Sequence, residues 1–155
     1  MTKNLYRLAC VLLISASSLA QAPDKRPYVV LPPHSQAPVP PVLLWDKDSY
    51  ASWTPSLADI EGLEANLSQV SKLKIRGFES TSIRIEHPDQ YLRQYIGVLH
   101  ESKRRIYINA FSDDPPPSDW RTRLYVVIDG AIGYWHAFYD PDTKTFSDLI
   151  INARA

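Results

Sequence analysis

Apolar residues recur at steps of three and four in the stretch that begins at Thr54 and ends near Gly77. This spacing places them on one face of an α-helix. Thr54 offers an N-cap oxygen, Pro55 suits the first helical position, and Gly77 ends the periodic pattern. The sequence therefore predicts one amphipathic helix over residues 55–74. Its apolar stripe consists of Leu57, Ile60, Leu63, Leu67, Val70 and Leu73.

Two later stretches, 91–99 and 104–111, alternate apolar and polar residues with the period of a β-strand. The residues between them, 100–103, have the composition of a hairpin loop. Residues 78–87 alternate only weakly, which indicates a short strand or an irregular crossover. The pattern predicts a β-hairpin that follows the helix.

Residues 124–152 contain three runs rich in β-branched and aromatic residues. Turn-forming residues separate the runs at Asp129-Gly130 and at 140–144, where Gly, Asp and Pro favour tight turns. An acidic, proline-rich loop, 113–119, joins this part of the chain to the preceding hairpin. The pattern predicts a three-stranded antiparallel meander after that loop.

Together these elements predict an α+β fold, with one amphipathic helix packed on a curled antiparallel sheet of four to five strands. The order of the elements is similar, as an analogy of architecture, to that of cystatin-like rolls. Folds of this kind host inhibitors, ligand carriers and enzymes. The fold class therefore leaves the function open.

Residues 1–22 have the composition of a secretory signal peptide. Lys3 and Arg7 precede a short apolar run, and small residues follow it. The apolar run is too short to span a bilayer. We expect cleavage after Ala20 or Ala22 and an exported, periplasmic mature chain.

Residues 23–44 form a predicted proline-rich linker in front of a single domain that covers 45–155. Seven of the nineteen residues from 23 to 41 are proline, which breaks helices and lacks the donor that a sheet needs. Three interpretations stay open for this segment. It is a disordered spacer, a proline-rich ligand for a partner, or a segment whose apolar patches lie along the domain surface.

Charge and cysteine content exclude several classes of function. The whole chain has 17 basic and 17 acidic residues, and removal of Lys3 and Arg7 with the signal leaves 15 against 17, a net charge of −2. No basic excess remains to bind nucleic acid. The single cysteine, Cys10, lies in the predicted signal peptide. We therefore expect neither a disulfide nor a membrane span in the mature chain.

The tail of the chain, residues 129–152, carries the motif D-G-A-I-G-Y-W-H-A-F-Y-D-P-D-T-K-T-F-S-D-L-I-I-N. Before it come Y-L-R-Q-Y-I-G at 91–97, R-I-Y-I-N-A-F at 105–111, and Trp120. This arrangement resembles a group of small exported bacterial proteins of uncharacterised function, whose tails run D-G-G, an aromatic-Trp pair, Y-D-P, Thr, Phe and Asn-Gly. The resemblance covers about 100 residues, and it departs at Ala131, where the group has Gly, and at the last Gly. It implies no catalytic residue.

Asp129, His136 and Asp140 lie close together in the predicted meander, and a carboxylate beside a histidine is the raw material of general base catalysis. No nucleophile motif accompanies them. Both aspartates occupy turn positions that favour Asp on backbone grounds. His136 alternates with Trp135, so we expect Trp135 in the core and His136 in water.

Metal binding requires several His, Cys or carboxylate side chains that converge at ligand spacing. The histidines are scattered over the linker, the loops and one strand, and Asp140-x-Asp142 is a fragment of a calcium loop without the downstream Glu. We predict no metal site and no cofactor.

Aromatic, arginine and asparagine residues concentrate on the predicted hairpin. If Leu92, Ile96 and Ile108 point at the helix, the residues that alternate with them point away from it. This predicts an outer sheet face that is both aromatic and polar, and such residue types dominate binding surfaces. The candidate binding residues are Arg93, Tyr95, Tyr107 and Asn109. Secondary candidates are Trp120, Arg123, Trp135 and His136.

The leading hypothesis is a periplasmic, non-enzymatic binding protein, for example an inhibitor or an immunity-type partner of another exported protein. Its partner is another exported protein, a glycan or a second copy of itself. The alternative is a hydrolase or a small-ligand-binding protein with a pocket between helix and sheet. A filled core favours the binding protein, whereas an empty pocket lined by Tyr and Trp favours the alternative.

Overall fold

The computed structural model describes residues 25–33, 50–77, 83–100, 102–127 and 129–152. The predicted signal peptide and most of the predicted linker lie outside these residues. Within the part of the chain that is described, no helix is long and apolar enough to cross a membrane.

The predicted helix consists of an α-helix, α1 (Leu57–Asn66), and a 3-10 helix, Leu67–Lys72, that continues it. Ser56, and not Thr54, is the N-cap, because its hydroxyl accepts the Asp59 N–H at 3.2 Å while the Asp59 carboxylate accepts the Ser56 N–H at 2.8 Å. The change to 3-10 geometry begins where the Asn66 side chain donates to the Gly62 carbonyl at 2.8 Å. Such local side-chain bonds compete with the regular helical ladder.

Six strands form one sheet, and they occupy five positions across it. The strands are β1 (Tyr28–Val30), β2 (Tyr50–Trp53), β3 (Leu92–His100), β4 (Lys103–Phe111), β5 (Ala131–Asp140) and β6 (Thr145–Asn152). Strands β3, β4, β5 and β6 are antiparallel neighbours in chain order, while β1 and β2 share the remaining edge of β3. The predicted α+β class is confirmed, but the sheet is mixed, because β1 pairs in parallel with β3.

Strand β1 lies inside the segment that the sequence predicted as a linker. The Leu31 N–H donates to the Tyr95 carbonyl at 2.9 Å, and the Arg93 N–H donates to the Pro27 carbonyl at 2.9 Å. Leu31 itself is buried. The prolines on both sides of the strand are tolerated because it lies at the edge of the sheet. Of the three interpretations of the predicted linker, the described residues around β1 therefore fit the third, in which the segment lies along the domain surface.

The predicted three-stranded meander contains two strands, β5 and β6. They are joined by the predicted turn, in which the Asp140 carboxylate accepts the N–H groups of Asp142 and Thr143 at 2.9 and 3.1 Å. The first predicted run starts at Leu124, and its described residues, 124–127, form no strand. Its backbone has no sheet edge beside β4, because β3 and β5 already occupy both edges.

Both faces of the sheet are covered. On one face, α1 and the 3-10 helix bury four residues of the predicted stripe, Ile60, Leu63, Leu67 and Val70, against side chains of β3 to β6. Leu57, which was predicted in the stripe, is 65% exposed at the start of α1. On the opposite face, residues 112–127, which we call the cover segment, lie over a second cluster. That cluster consists of Leu31, Ile96, Val98, Tyr107, Leu124 and Phe138.

Candidate functional site

The predicted outer binding face is wrong, because its four residues are buried. Arg93, Tyr95, Tyr107 and Asn109 are 1%, 0%, 1% and 6% exposed. They also lie on opposite faces, since Tyr95 pairs across the strands with Ile108 while Tyr107 pairs with Ile96. The alternation within each strand is as predicted. The register between the strands, and the presence of a covering layer on both faces of the sheet, produce no alternating pattern that could be recognised in the sequence.

Arg93 and Tyr95 face the helix and form a polar cluster with Glu64 of α1. Nη2 of Arg93 lies 3.1 Å from Oε2 of Glu64, and Nε of Arg93 donates to the Tyr95 hydroxyl at 2.9 Å. The Tyr95 hydroxyl donates to the Glu64 carboxylate. Burial raises the pKa of Tyr95 well above its usual range, so this hydroxyl keeps its proton. Burial alone would lower the pKa of Arg93, but Tyr95 and Glu64 outweigh that effect and raise it.

The same guanidinium also orders the turn that precedes β3. Nη1 of Arg93 donates to the backbone carbonyl oxygens of Pro88, Asp89 and Tyr91, at 3.3, 3.0 and 2.5 Å. Residues Pro88–Gln90 form a short 3-10 helix in this turn. A buried, charge-assisted donor with several carbonyl partners fixes the backbone around it. Arg93 therefore determines the shape of the surface that lies outside this turn.

A cleft of about 730 Å³ lies at that surface, where β3 and β5 begin and β4 ends. One wall carries polar side chains from residues 83–91, a segment whose last turn Arg93 bonds at the carbonyl groups of Pro88, Asp89 and Tyr91. The other wall is formed by the residue after β4 and by the start of β5. The polar wall contains Arg84, Glu86, His87, Gln90 and Tyr91, and Ile83 adds an apolar contact. The opposite wall consists of Ser112, Ala131 and Ile132.

Ile132 presents an apolar side chain at this cleft. It is 47% exposed, and among the described residues only it and Leu57, at 65%, are large hydrophobic side chains with such exposure. The pairing of β5 with β6 shifts register between Ala131 and Trp135, which leaves Ile132 in an irregular stretch. The Tyr91 hydroxyl donates to the Ile132 carbonyl at 3.0 Å and so ties the two walls together.

The backbone at this wall adopts conformations that favour glycine. Ala131 has a φ of +49°, in the left-handed region that a Cβ atom disfavours. The Tyr134 ring lies against Gly130 so closely that a Cβ atom there would be 1.9 Å from a ring carbon. The wall is thus shaped by local backbone geometry as well as by side chains.

On the opposite face of the sheet, Gln94 and Asn109 hold the cover segment. The Gln94 carbonyl oxygen accepts the Tyr125 N–H at 2.9 Å, and its amide donates to the Arg123 carbonyl at 2.7 Å. The Asn109 amide donates to the Tyr125 carbonyl at 2.6 Å. The predicted binding role of Asn109 thus corresponds to an internal contact with the protein's own chain.

The secondary candidates divide between core and surface. Trp135 is fully buried, as expected, but His136 is only 8% exposed, so the prediction that it faces water is wrong. The cover segment explains this, because it occupies the face that would otherwise be in water. Trp120 is also buried there, in edge contact with Phe111 at 5.8 Å between ring centroids. The Arg123 side chain is 70% exposed.

The described residues contain no group of three or more His, Cys, Asp or Glu side chains placed to hold a metal ion. Asp140 pairs with Arg105. Burial opposes ionisation of Asp140, but hydrogen bonds from Thr143 and Arg105 lower its pKa. His136 therefore has no carboxylate oriented toward it from the turn, and the Asp129, His136 and Asp140 constellation does not assemble as a general base.

The cleft residues were not among the sequence candidates. Residues 83–91 have weak periodicity, so their sequence does not indicate that they line a cleft. The turn within them is held by Arg93, which belongs to the following strand. The one available signal was a short polar set, in which Arg84 lies between Ile83 and Ile85 and Glu86 and His87 follow them.

Comparison with protein families, curated proteins and solved structures finds no match for this chain. The function is therefore argued from the geometry of the site.

Proposed function

We propose that this protein is an exported, non-enzymatic binding protein that engages another exported protein through the cleft between residues 83–91 and the start of β5. The observation that carries the proposal is the order imposed on the cleft from within. Arg93, at 1% exposure, bonds three carbonyl groups of the turn and is itself held by Glu64 and Tyr95. A wall fixed in this way loses little conformational freedom when a partner binds.

The composition of the cleft also supports recognition of a protein segment. An exposed apolar side chain, Ile132, lies beside donors and acceptors of both charge signs, Arg84 and Glu86. Interfaces combine an apolar anchor with a polar rim in this manner. A volume of about 730 Å³ is enough for one or a few side chains of a partner.

The packing of the interior supports a binding protein over the pocket-bearing alternative. The space between helix and sheet is filled by side chains such as Leu63, Val70 and Trp135, each 0% exposed. A hydrolase with its pocket in that space would need room for a substrate. Function through the surface is therefore the better-supported hypothesis.

A hydrolase that uses the cleft itself is the second candidate, because Ser112, His87 and Glu86 all line it. Nucleophilic catalysis requires the serine and the base to lie within hydrogen-bond reach. Among the hydrogen bonds of the described residues, none joins Ser112 to His87 or His87 to Glu86. An esterase assay with the Ser112→Ala variant as control tests this candidate, and Ser112-dependent turnover would favour it over the binding protein.

The binding proposal is tested by affinity capture with three forms of the mature chain. The wild type and Leu57→Asp should retain the same exported protein, whereas Ile132→Asp should lose it. Leu57 is the matched control, because it is the more exposed of the two hydrophobic side chains and lies on the helix. Circular dichroism of each variant establishes that it is folded. Equal capture by all three forms would reject the cleft as the binding site.

A further inference from the structure

His136 lies beneath the cover segment, where one nitrogen of its imidazole has no hydrogen-bond partner among the described residues. In the register of the sheet, Gln94 lies opposite Asn109, and Asn109 lies opposite His136, so the three form a polar row across β3, β4 and β5. All three are buried. Gln94 and Asn109 bond the cover segment, whereas Nε2 of His136 has no hydrogen-bond partner among the described residues. A buried polar atom in this state needs an explanation.

The cover segment is fastened on both sides of this imidazole. Asn109 donates to the Tyr125 carbonyl on one side, and Asn152 of β6 donates to the Val127 carbonyl on the other. The imidazole is enclosed by the chain that these two amides hold in place. Any movement of Tyr125 or Val127 away from the sheet would admit water to it.

We propose that His136 is a proton-operated release for the cover segment. Protonation of the imidazole at mildly acidic pH opens residues 112–127 away from the sheet, while the four antiparallel strands and α1 keep their structure. The protonated imidazole of His136 has two N–H donors, and the closed state offers no acceptor for the second of them.

The charges around the imidazole favour its neutral form in the closed state. Burial lowers the pKa of His136 from 6.5 to about 4, and the Asn152 side chain only partly opposes this. From β4, Tyr107 lies with its ring centroid 5.9 Å from that of the imidazole, and burial raises the pKa of Tyr107 so that it stays uncharged. No carboxylate contributes to the pKa of His136.

Four charged groups of the cover segment have partners away from the imidazole, and the fifth, Asp114, is exposed. The Tyr134 hydroxyl donates to Asp113, and Asp119 lies 3.8 Å from Arg123 of the same segment. Arg121 donates to the Arg26 carbonyl at 2.7 Å. From β6, the residue opposite His136 is the apolar Ile150. A proton on the imidazole would therefore have no countercharge until the segment opens.

The attachment of the cover segment favours local opening. It is joined to the sheet by side-chain amides, by one backbone bond from the Ser112 N–H to the Gly133 carbonyl at 3.0 Å and by apolar and ring contacts. Within the described residues it shares no ladder of backbone hydrogen bonds with any strand. The strands beneath it are held by continuous antiparallel pairing. Segments with such attachment open at a lower free energy than a paired core.

The size of the effect follows from linkage between protonation and opening. An opened imidazole has the ordinary pKa of 6.5, and the closed one has a pKa of about 4. Acidification below pH 6.5 thus raises the opening equilibrium by up to about tenfold per pH unit, to about 150-fold at pH 4, and the increase approaches a limit of about 300-fold at lower pH. The opened state exposes apolar side chains of the second cluster, including Ile96 and Phe138.

The test is amide hydrogen exchange of the mature chain at pH 7 and at pH 4.5, corrected for intrinsic exchange rates. The Tyr125 amide, which donates to Gln94, should lose about 60-fold in protection at pH 4.5, while amides that pair β4 with β5 keep theirs. The His136→Gln variant, which does not titrate, should remove this pH dependence. His87→Gln, at an exposed histidine, should leave it intact.

Three results would overturn the proposal. They are equal Tyr125 protection at the two pH values, the same pH dependence in wild type and His136→Gln, and simultaneous loss of protection in cover segment and strands. If His136→Gln does not fold, the imidazole resonance of the wild type decides instead. A pKa near 4 observed for the closed state supports the release, and a pKa near 6.5 contradicts it.

Discussion

Oε2 of Glu64 on α1 lies 3.1 Å from Nη2 of Arg93 on β3, and this pair joins the helix to the sheet. Arg93 is almost fully enclosed, at 1% exposure, whereas the Glu64 side chain keeps 25% of its surface in water. The same arginine orders the turn that forms one wall of the cleft. Helix packing and cleft shape therefore depend on one ion pair.

Removal of Glu64 should be costly. Glu64→Ala leaves the Arg93 guanidinium enclosed without its carboxylate, and we expect a loss of about 3 kcal/mol in the free energy of unfolding. Glu61→Ala, on the exposed side of the same helix, should change it by less than about 0.5 kcal/mol. Urea denaturation of both variants measures the difference. Equal effects would mean that the ion pair contributes nothing to stability.

Burial of the helix stripe gives a second prediction. Leu67 is 3% exposed in the core between helix and sheet, so Leu67→Ala should cost about 2–5 kcal/mol through lost burial and a residual cavity. Leu57→Ala removes the same atoms from a side chain that is 65% exposed, and it should be close to neutral. An unchanged thermal melt for Leu67→Ala would contradict the packing of the helix on the sheet.

The contact between β2 and β3 depends on a glycine. A Cβ atom at Gly97 would lie 2.2 Å from the Trp53 carbonyl oxygen, which is backbone and cannot rotate away. Gly97→Ala should therefore displace β2 and cost about 3 kcal/mol. Gly62→Ala on α1 meets only the Tyr139 hydroxyl, at 3.2 Å, and gains helix propensity of about 1 kcal/mol. Similar melting temperatures for the two variants would refute the close approach of Trp53.

The sequence predicted the fold class because its signals are local. The apolar stripe of the helix and the alternation of β3 and β4 each lie within one segment, and the structure has these elements close to the predicted bounds. The short strand β1 was left open, since three residues between prolines carry too little pattern. The run from Leu124 has the composition of a strand because its residues are apolar, but Leu124 is buried and Val126 half-buried as part of a cover over the sheet.

The candidate site was harder to predict because it depends on register and on a second covering layer. Tyr95 and Tyr107 occur in similar alternating contexts, yet they lie on opposite faces, since Tyr95 pairs with Ile108 and Tyr107 with Ile96. A buried arginine such as Arg93 looks in sequence like an exposed one. Its partner, Glu64, lies 29 residues away, and no spacing rule connects them.

Site-specific photocrosslinking in living cells tests the central claim, binding through the cleft, most directly. A photoreactive phenylalanine analogue is placed at position 132 on the cleft wall or at position 57 on the exposed start of α1. The account predicts that irradiation joins the protein to one exported protein from position 132, and that position 57 gives no such product. The same product from both positions, or none from position 132 while a partner is captured by other means, would contradict it.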